Sequence, residues 1–193
     1  MGIEETREKI VSVADKLFSR FGFQKTSMDE IARTSRKAKG SLYYHFSSKE
    51  ELFREVVQKE VNYLKDKLSE IVSSPDLNAG GKLKNYLMIR MEVLKEATNY
   101  HETIRSDFFE TFDFINDIRK DLDEWERERI GVIINEGLDK GEFELHVSTE
   151  VMSDVLIMLL KGMEIPFYLQ DKYELYTPYF EDLSKIMLKG LRK

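Results

Sequence analysis

Residues 26–52 read TSMDEIARTSRKAKGSLYYHFSSKEEL. Ser27 followed by Glu30 has the spacing of a capping box, in which each side chain satisfies the other residue's free backbone N–H. It predicts a helix from Met28 that turns Met28, Ile31 and Ala32 inward and runs to about residue 34 or 35. A second short helix fits from residue 38 or 39 to Tyr44, with Leu42 and Phe46 inward, and Ser48 with Glu51 caps the next. Upstream, Ile10, Ala14, Leu17, Phe18 and Phe21 recur at helical spacing until Gly22 stops them. Two short helices joined by a tight turn and buttressed by a longer one form a helix-turn-helix, whose second short helix enters the major groove of DNA.

The segments 26–32 and 39–52 closely resemble the N-terminal DNA-binding region of the TetR family of bacterial transcriptional regulators, over about residues 7–55. The run KGSLYYHFSSKEEL carries most of this likeness. Thr26 and Ser27 stand at a helix N-terminus, where hydroxyls and unpaired N–H groups suit a phosphate, although Thr26 reads equally as a structural cap. Lys39, Gly40 and Ser41 open the recognition helix. Lys39 can reach a phosphate or a guanine, and Gly40 lets the backbone approach DNA. The resemblance implies that Tyr44 and His45 lie near the DNA backbone and that Tyr43 contacts phosphate or base, with one of these rings alternatively in the core. Lys49 in the first turn of a helix opposes the helix dipole, so a phosphate contact is the expected reason for it.

The sequence departs from the family at the turn, where Arg36-Lys37-Ala38 replaces the usual Gly-Val-Ser. A left-handed backbone at Arg36 costs about 1–2 kcal/mol, and both Arg36 and Lys37 add charge on the DNA side. Each phosphate contact adds about one unit to the salt dependence of binding.

The chain has 193 residues and a net charge of −6, which on its own argues against nucleic acid. Divided, residues 1–46 hold nine Lys/Arg against six acids, a net of +3, and the rest carries −9. A basic contact module on an acidic body is the expected arrangement. The longest apolar run of note is Val155–Leu160, far below the roughly 20 residues of a membrane helix. Acids at the N-terminus, where a secretory signal would be basic, make the cytoplasm the expected location. With no cysteine, three prolines and ten glycines, long helices are expected throughout and disulfides are impossible.

The expected fold is all-α with about nine helices. Its three parts are a helix-turn-helix domain (1–48), a connecting fourth helix (49–74) and a sensing and dimerisation domain (75–193). Beyond the break at Ser73-Ser74-Pro75, helical patterns cover about 82–99, 101–111, 114–140, 149–170 and 175–191. The segment from Thr149 is apolar on two faces, so it must be buried on both, which points to a subunit interface, the alternative being burial wholly within the chain's own core. The resemblance implies a homodimer built by this helix and the last one around a two-fold axis. Val155, Met158, Leu159, Gly162, Phe180, Leu183 and Met187 are the expected contacts. Between headpiece and dimer helices, Met88, Met91, Ile104, Phe108, Phe109, Phe112 and Trp125 line either a core or a pocket for a small apolar or amphipathic ligand.

An enzyme is not expected. Gly80-Gly81-Lys82 fails as a phosphate loop because Asp76 and Leu83 stand where glycine and Ser/Thr are needed. The three histidines show no metal-ligand spacing, and no cofactor is expected. The reading is therefore a repressor of a palindromic operator, released by its ligand. The alternative is a DNA-bound protein whose C-terminal half recruits another protein.

Overall fold

The computed structural model describes residues 2–109 and 115–191, without the side chains of residues 106–109. Nine α-helices are found among these residues: α1 (Ile3–Phe21), α2 (Met28–Ser35), α3 (Lys39–His45), α4 (Lys49–Val72), α5 (Ala79–Glu96), α6 (Thr98–Phe109), α7 (Asn116–Asp139), α8 (Thr149–Glu164) and α9 (Tyr173–Leu191). No helix among them is long and apolar enough to cross a membrane.

The boundaries follow local chemistry. Gly22 ends α1 at φ +81° and ψ 161°, a conformation essentially reserved for glycine, and donates its N–H to Phe18. The Oγ atoms of Ser27 and Ser48 accept the N–H groups of Glu30 and Glu51 at 3.2 and 3.1 Å. Helix α5 starts earlier than its apolar pattern suggests because Asn78 caps it, accepting the Gly81 N–H at 2.9 Å. The expected single helix over 149–170 is instead α8 followed by a π-helical turn, Ile165–Leu169. Pro166 has no N–H to donate back into α8, and the chain widens there, so that Gln170 bonds the Ile165 carbonyl.

Helix α1 packs on α2 and α4, and α3 packs on α2. Helix α4 also packs against α5, α6 and α7, so it belongs to the headpiece at one end and to the body at the other. Helix α5 runs through the body between α4, α7 and α9, and α8 packs on α7. The buried apolar side chains form one connected core through both parts.

Candidate nucleic-acid interface

Helix α3 is anchored by two residues. Leu42 and Phe46 are buried, as their spacing predicts, and the Arg7 guanidinium lies 5.0 Å over the Phe46 ring. With that edge fixed, Lys39, Gly40, Tyr43 and Tyr44 face solvent, and Ser41 and His45 are half-buried. Neither tyrosine is a core residue. Tyr44 is 74% exposed, and its ring meets that of His45 edge-on.

Arg36 sits at φ 56° and ψ 43°, the left-handed conformation expected at this turn. Its N–H donates to Arg33, and the Lys37 N–H donates to Ala32 at 2.9 Å, which closes the C-terminus of α2 with the pair of bonds that glycine more often supplies. The Arg36 side chain is exposed, whereas the Lys37 ammonium reaches back to Thr6 Oγ1 at 3.2 Å. Lys39 pairs with Asp29 at 2.7 Å, which raises the lysine pKa, and lies 6.0 Å from the centre of the Tyr43 ring. An open groove of about 420 Å³ runs between α2, α3 and the start of α4, with Lys25, Ser27, Lys39, Tyr43 and Lys49 on its walls.

Thr26 and Lys49 both have partners within the chain. Thr26 is 1% exposed and donates its hydroxyl to the Gly22 carbonyl at 2.9 Å, so it closes the α1–α2 turn from inside. Lys49 has a structural reason for its place. Its ammonium donates to the carbonyls of Phe23 and Thr26 at 2.9 and 3.1 Å and lies 4.2 Å over the Phe23 ring. These three partners offset its unfavourable position on the helix dipole. Glu51 strengthens the same corner by accepting both the hydroxyl and the N–H of Ser47 at 2.7 Å, which lowers its pKa.

In the body, Met91 and Ile104 are core residues and Met88 packs against that core. Trp125 is half-buried, with Lys65 and Arg129 against its ring. Phe108, Phe109 and Phe112 lie outside the residues whose side chains are described. The sequence reading missed the group beside Met91. Arg90 is fully buried between Glu126 and Glu164, each at 2.8 Å, and Arg119 bonds the second oxygen of Glu164 at 3.1 Å. The Tyr86 hydroxyl completes the Glu126 site at 3.2 Å. Burial pushes the Glu126 carboxyl up, while Arg90 acts against that shift. These charges come from three helices, and only their odd positions on otherwise apolar helix faces could have signalled them.

Among the described residues, apolar space is found where α5, α8, the π turn and α9 meet. Two hollows of about 440 and 240 Å³ share Met163, Phe180 and Leu183; one extends to Pro166, Phe167 and Tyr176, the other to Leu87, Leu156 and Met187. Along the outer face of α8 and α9, Val155, Met158, Leu159 and Leu183 are exposed, with Tyr179 and Ile186. Of the other expected dimer contacts, Gly162 is exposed, Met187 is half-buried, and Phe180 is buried within the chain.

Comparison with known proteins agrees with this geometry. Residues 10–56 match the model of bacterial regulatory proteins, tetR family. The chain is 26% identical over 193 residues to the HTH-type transcriptional regulator QacR of Staphylococcus aureus, covering 97% of this chain and 98% of that protein. It is 40% identical over 60 residues to the biofilm operon icaADBC negative transcriptional regulator IcaR of Staphylococcus epidermidis, which is 31% of this chain and 32% of that one. A solved transcriptional regulator from Cytophaga hutchinsonii superposes with a TM-score of 0.82 at 28% identity, over 96% of this chain and 98% of that chain.

Proposed function

As a member of the TetR family of bacterial regulatory proteins, this chain is a DNA-binding transcriptional regulator and not an enzyme, and we propose that it is a homodimeric repressor released from its operator by a small apolar or amphipathic ligand. The observation that carries the DNA half of this reading is helix α3, pinned by Leu42 and Phe46 so that Lys39, Gly40, Tyr43 and Tyr44 face outward. Within the proposed headpiece (1–48), Ser27 and Lys39 line the groove beside α3, and these two with Arg36, Lys37, Ser41 and His45 are the proposed phosphate contacts. Thr26 and Lys49 hold the corner in place. Its name as a negative regulator makes IcaR a support for repression.

Two headpieces must be held about 34–36 Å apart to read successive turns of one DNA face. The exposed stripe Val155, Met158, Leu159 and Leu183 supports pairing of α8 and α9 with a second copy, since monomers rarely leave such a contiguous apolar face in water. Ligand volume is supported best by the two hollows around Met163, Phe180 and Leu183. A ligand there releases DNA only through its preference for one of two headpiece spacings, worth about 1–3 kcal/mol in typical coupling. Helix α4 is the lever, because it packs against α1 at one end and against α5, α6 and α7 along its length.

The test is selection of bound fragments from a genomic DNA pool, followed by a screen of apolar and amphipathic compounds for release. Enrichment of a palindrome bound by a dimer is expected. A protein that enriches no palindromic site overturns the reading, and one whose operator affinity no compound alters overturns its ligand half.

A further inference from the structure

Glu60 lies in the middle of α4, where α1 and the first turn of α6 meet it. Its Oε2 accepts the Tyr100 N–H at 2.7 Å, and its Oε1 accepts the Asn99 N–H at 3.2 Å and the Asn99 Nδ2 at 3.0 Å. The same Nδ2 lies 2.8 Å from both Asp15 Oδ1 and Ser19 Oγ on α1. Asn99 is 1% exposed, and its Oδ1 is buried with no partner.

The Asn99 amide nitrogen carries two hydrogens and accepts none, so its N–H groups are shared among three acceptors, two of them carboxylate oxygens. With both carboxylates ionised, two negative charges converge on one buried amide. A single proton removes that repulsion.

We infer that the Glu60 carboxyl is a proton-operated clasp between headpiece and body, which holds α1, α4 and the start of α6 together when uncharged and loosens that junction when ionised. Burial is the main force raising the Glu60 carboxyl to about 7, with Asp15 adding to it against the hydrogen bonds from Tyr100 and Asn99. Among the described residues, α1 sets Asp15 against this group, and α6 sets Tyr100, whose ring carries Arg119 of α7 5.6 Å above it. His101 turns away, its Nε2 2.7 Å from the Leu94 carbonyl and its ring stacked on Tyr168.

The sign follows from linkage. A carboxyl raised in the closed junction binds its proton more tightly there than in the open one. Closure is therefore favoured at low pH and weakens as pH climbs from the ordinary glutamate value to about 7. Between about pH 6 and about pH 8 the closing equilibrium should fall about tenfold, for an open-state value near 4.3. The consequence for DNA rests on the function proposed above; the clasp itself does not.

The experiment is a carboxyl NMR titration of the isotope-labelled full-length protein without DNA, with amide exchange protection of Asn99 and Tyr100 measured at both pH values. The Glu60 signal, identified by its loss in Glu60→Gln, should titrate near 7, and protection of the two amides should fall about tenfold between the two pH values. In Glu60→Gln, protection should not change with pH, and in Asp15→Asn the Glu60 midpoint should drop. A Glu60 midpoint in the ordinary carboxylate range, equal protection at both pH values, or an Asp15→Asn midpoint that does not move overturns the clasp. If Glu60→Gln does not fold, Glu60→Asp identifies the signal by displacement and the wild-type titration decides. A clasp that titrates as expected in a protein that selects no operator leaves this inference standing and overturns the proposed function.

Discussion

The two parts of the molecule put their charges in opposite places. In residues 2–48 the buried side chains are apolar or carry a hydroxyl, and no Lys, Arg, Asp or Glu is buried. In the body Lys82, Arg90, Arg119, Glu126 and Glu164 are buried, while Met158, Leu159, Tyr179 and Ile186 are left in water. A small domain with a dry core and charged rim suits a polyanion, whose binding is dominated by phosphate contacts. A body with charge inside and apolar side chains outside presents a face of the kind that marks interaction sites. The contrast teaches that buried charge fixes helix register inside the body, while its exposed apolar stripe is the face on which we propose that a second copy docks.

The sharpest way to break the comparison is to remove the charge at its centre. Arg90→Ala leaves Glu126 and Glu164 buried without their shared partner, and such a loss costs about 3–5 kcal/mol. Urea denaturation should show that loss, whereas an exposed headpiece charge such as Lys25 should change stability by less than about 0.5 kcal/mol on replacement by Ala. Equal effects would mean that burial of charge does not distinguish the two parts.

The next test addresses the outside of the body. Met158→Glu combined with Leu159→Glu places like charges on an apolar stripe that is 63% and 50% exposed at these positions. The folded chain should tolerate both, because neither side chain enters its own core. Sedimentation should show monomers, and operator affinity should fall at least about 100-fold because a single headpiece loses the avidity of two. A double variant that remains dimeric places the interface elsewhere.

A smaller effect is expected from Lys49→Met, which removes the donor to two carbonyls and the charge over the Phe23 ring while keeping a long apolar side chain. About 1–2 kcal/mol of stability should be lost in thermal unfolding, less than a fully buried charged hydrogen bond because the site is partly wet. Loss of DNA affinity at unchanged stability would restore the phosphate role that the position first suggests.

These residues also show why some of the chain was legible and some was not. Ser27, Gly22 and Ser48 act within four residues, so their sequence spacing is their structural spacing, and α1 to α4 could be placed from it. Lys49 finds its acceptors 23 and 26 residues away, and Arg90 finds its own 36 and 74 residues away. Nothing in the local pattern announces such partners. The same limit applies to the pocket: helical spacing of Met88, Met91 and Ile104 is identical for a core and for a cavity wall, and only three-dimensional packing separates them. The two-faced pattern of α8 was readable because a helix apolar all round needs two covers. Which face meets the chain's own core depended on α7, and the π turn after α8 depended on how Pro166 is accommodated.

The finest test concerns Arg36, where local strain and DNA charge coincide. Its left-handed backbone costs about 1–2 kcal/mol for a residue with a Cβ. Glycine removes that cost but gives up about 0.5–1 kcal/mol to the freedom of the unfolded chain. Arg36→Gly should therefore gain only about 0.5 kcal/mol, whereas Arg36→Ala keeps the strain and should stay near zero. Both variants remove the same exposed charge, so both should lower the slope of log affinity against log salt by about one unit. The pair separates the two roles. A slope change without a stability difference means that the turn relaxes around Arg36. A stability gain in Gly alone with an unchanged slope means that Arg36 faces the DNA side without touching phosphate, and the turn's departure from glycine then costs stability with no phosphate contact to offset it.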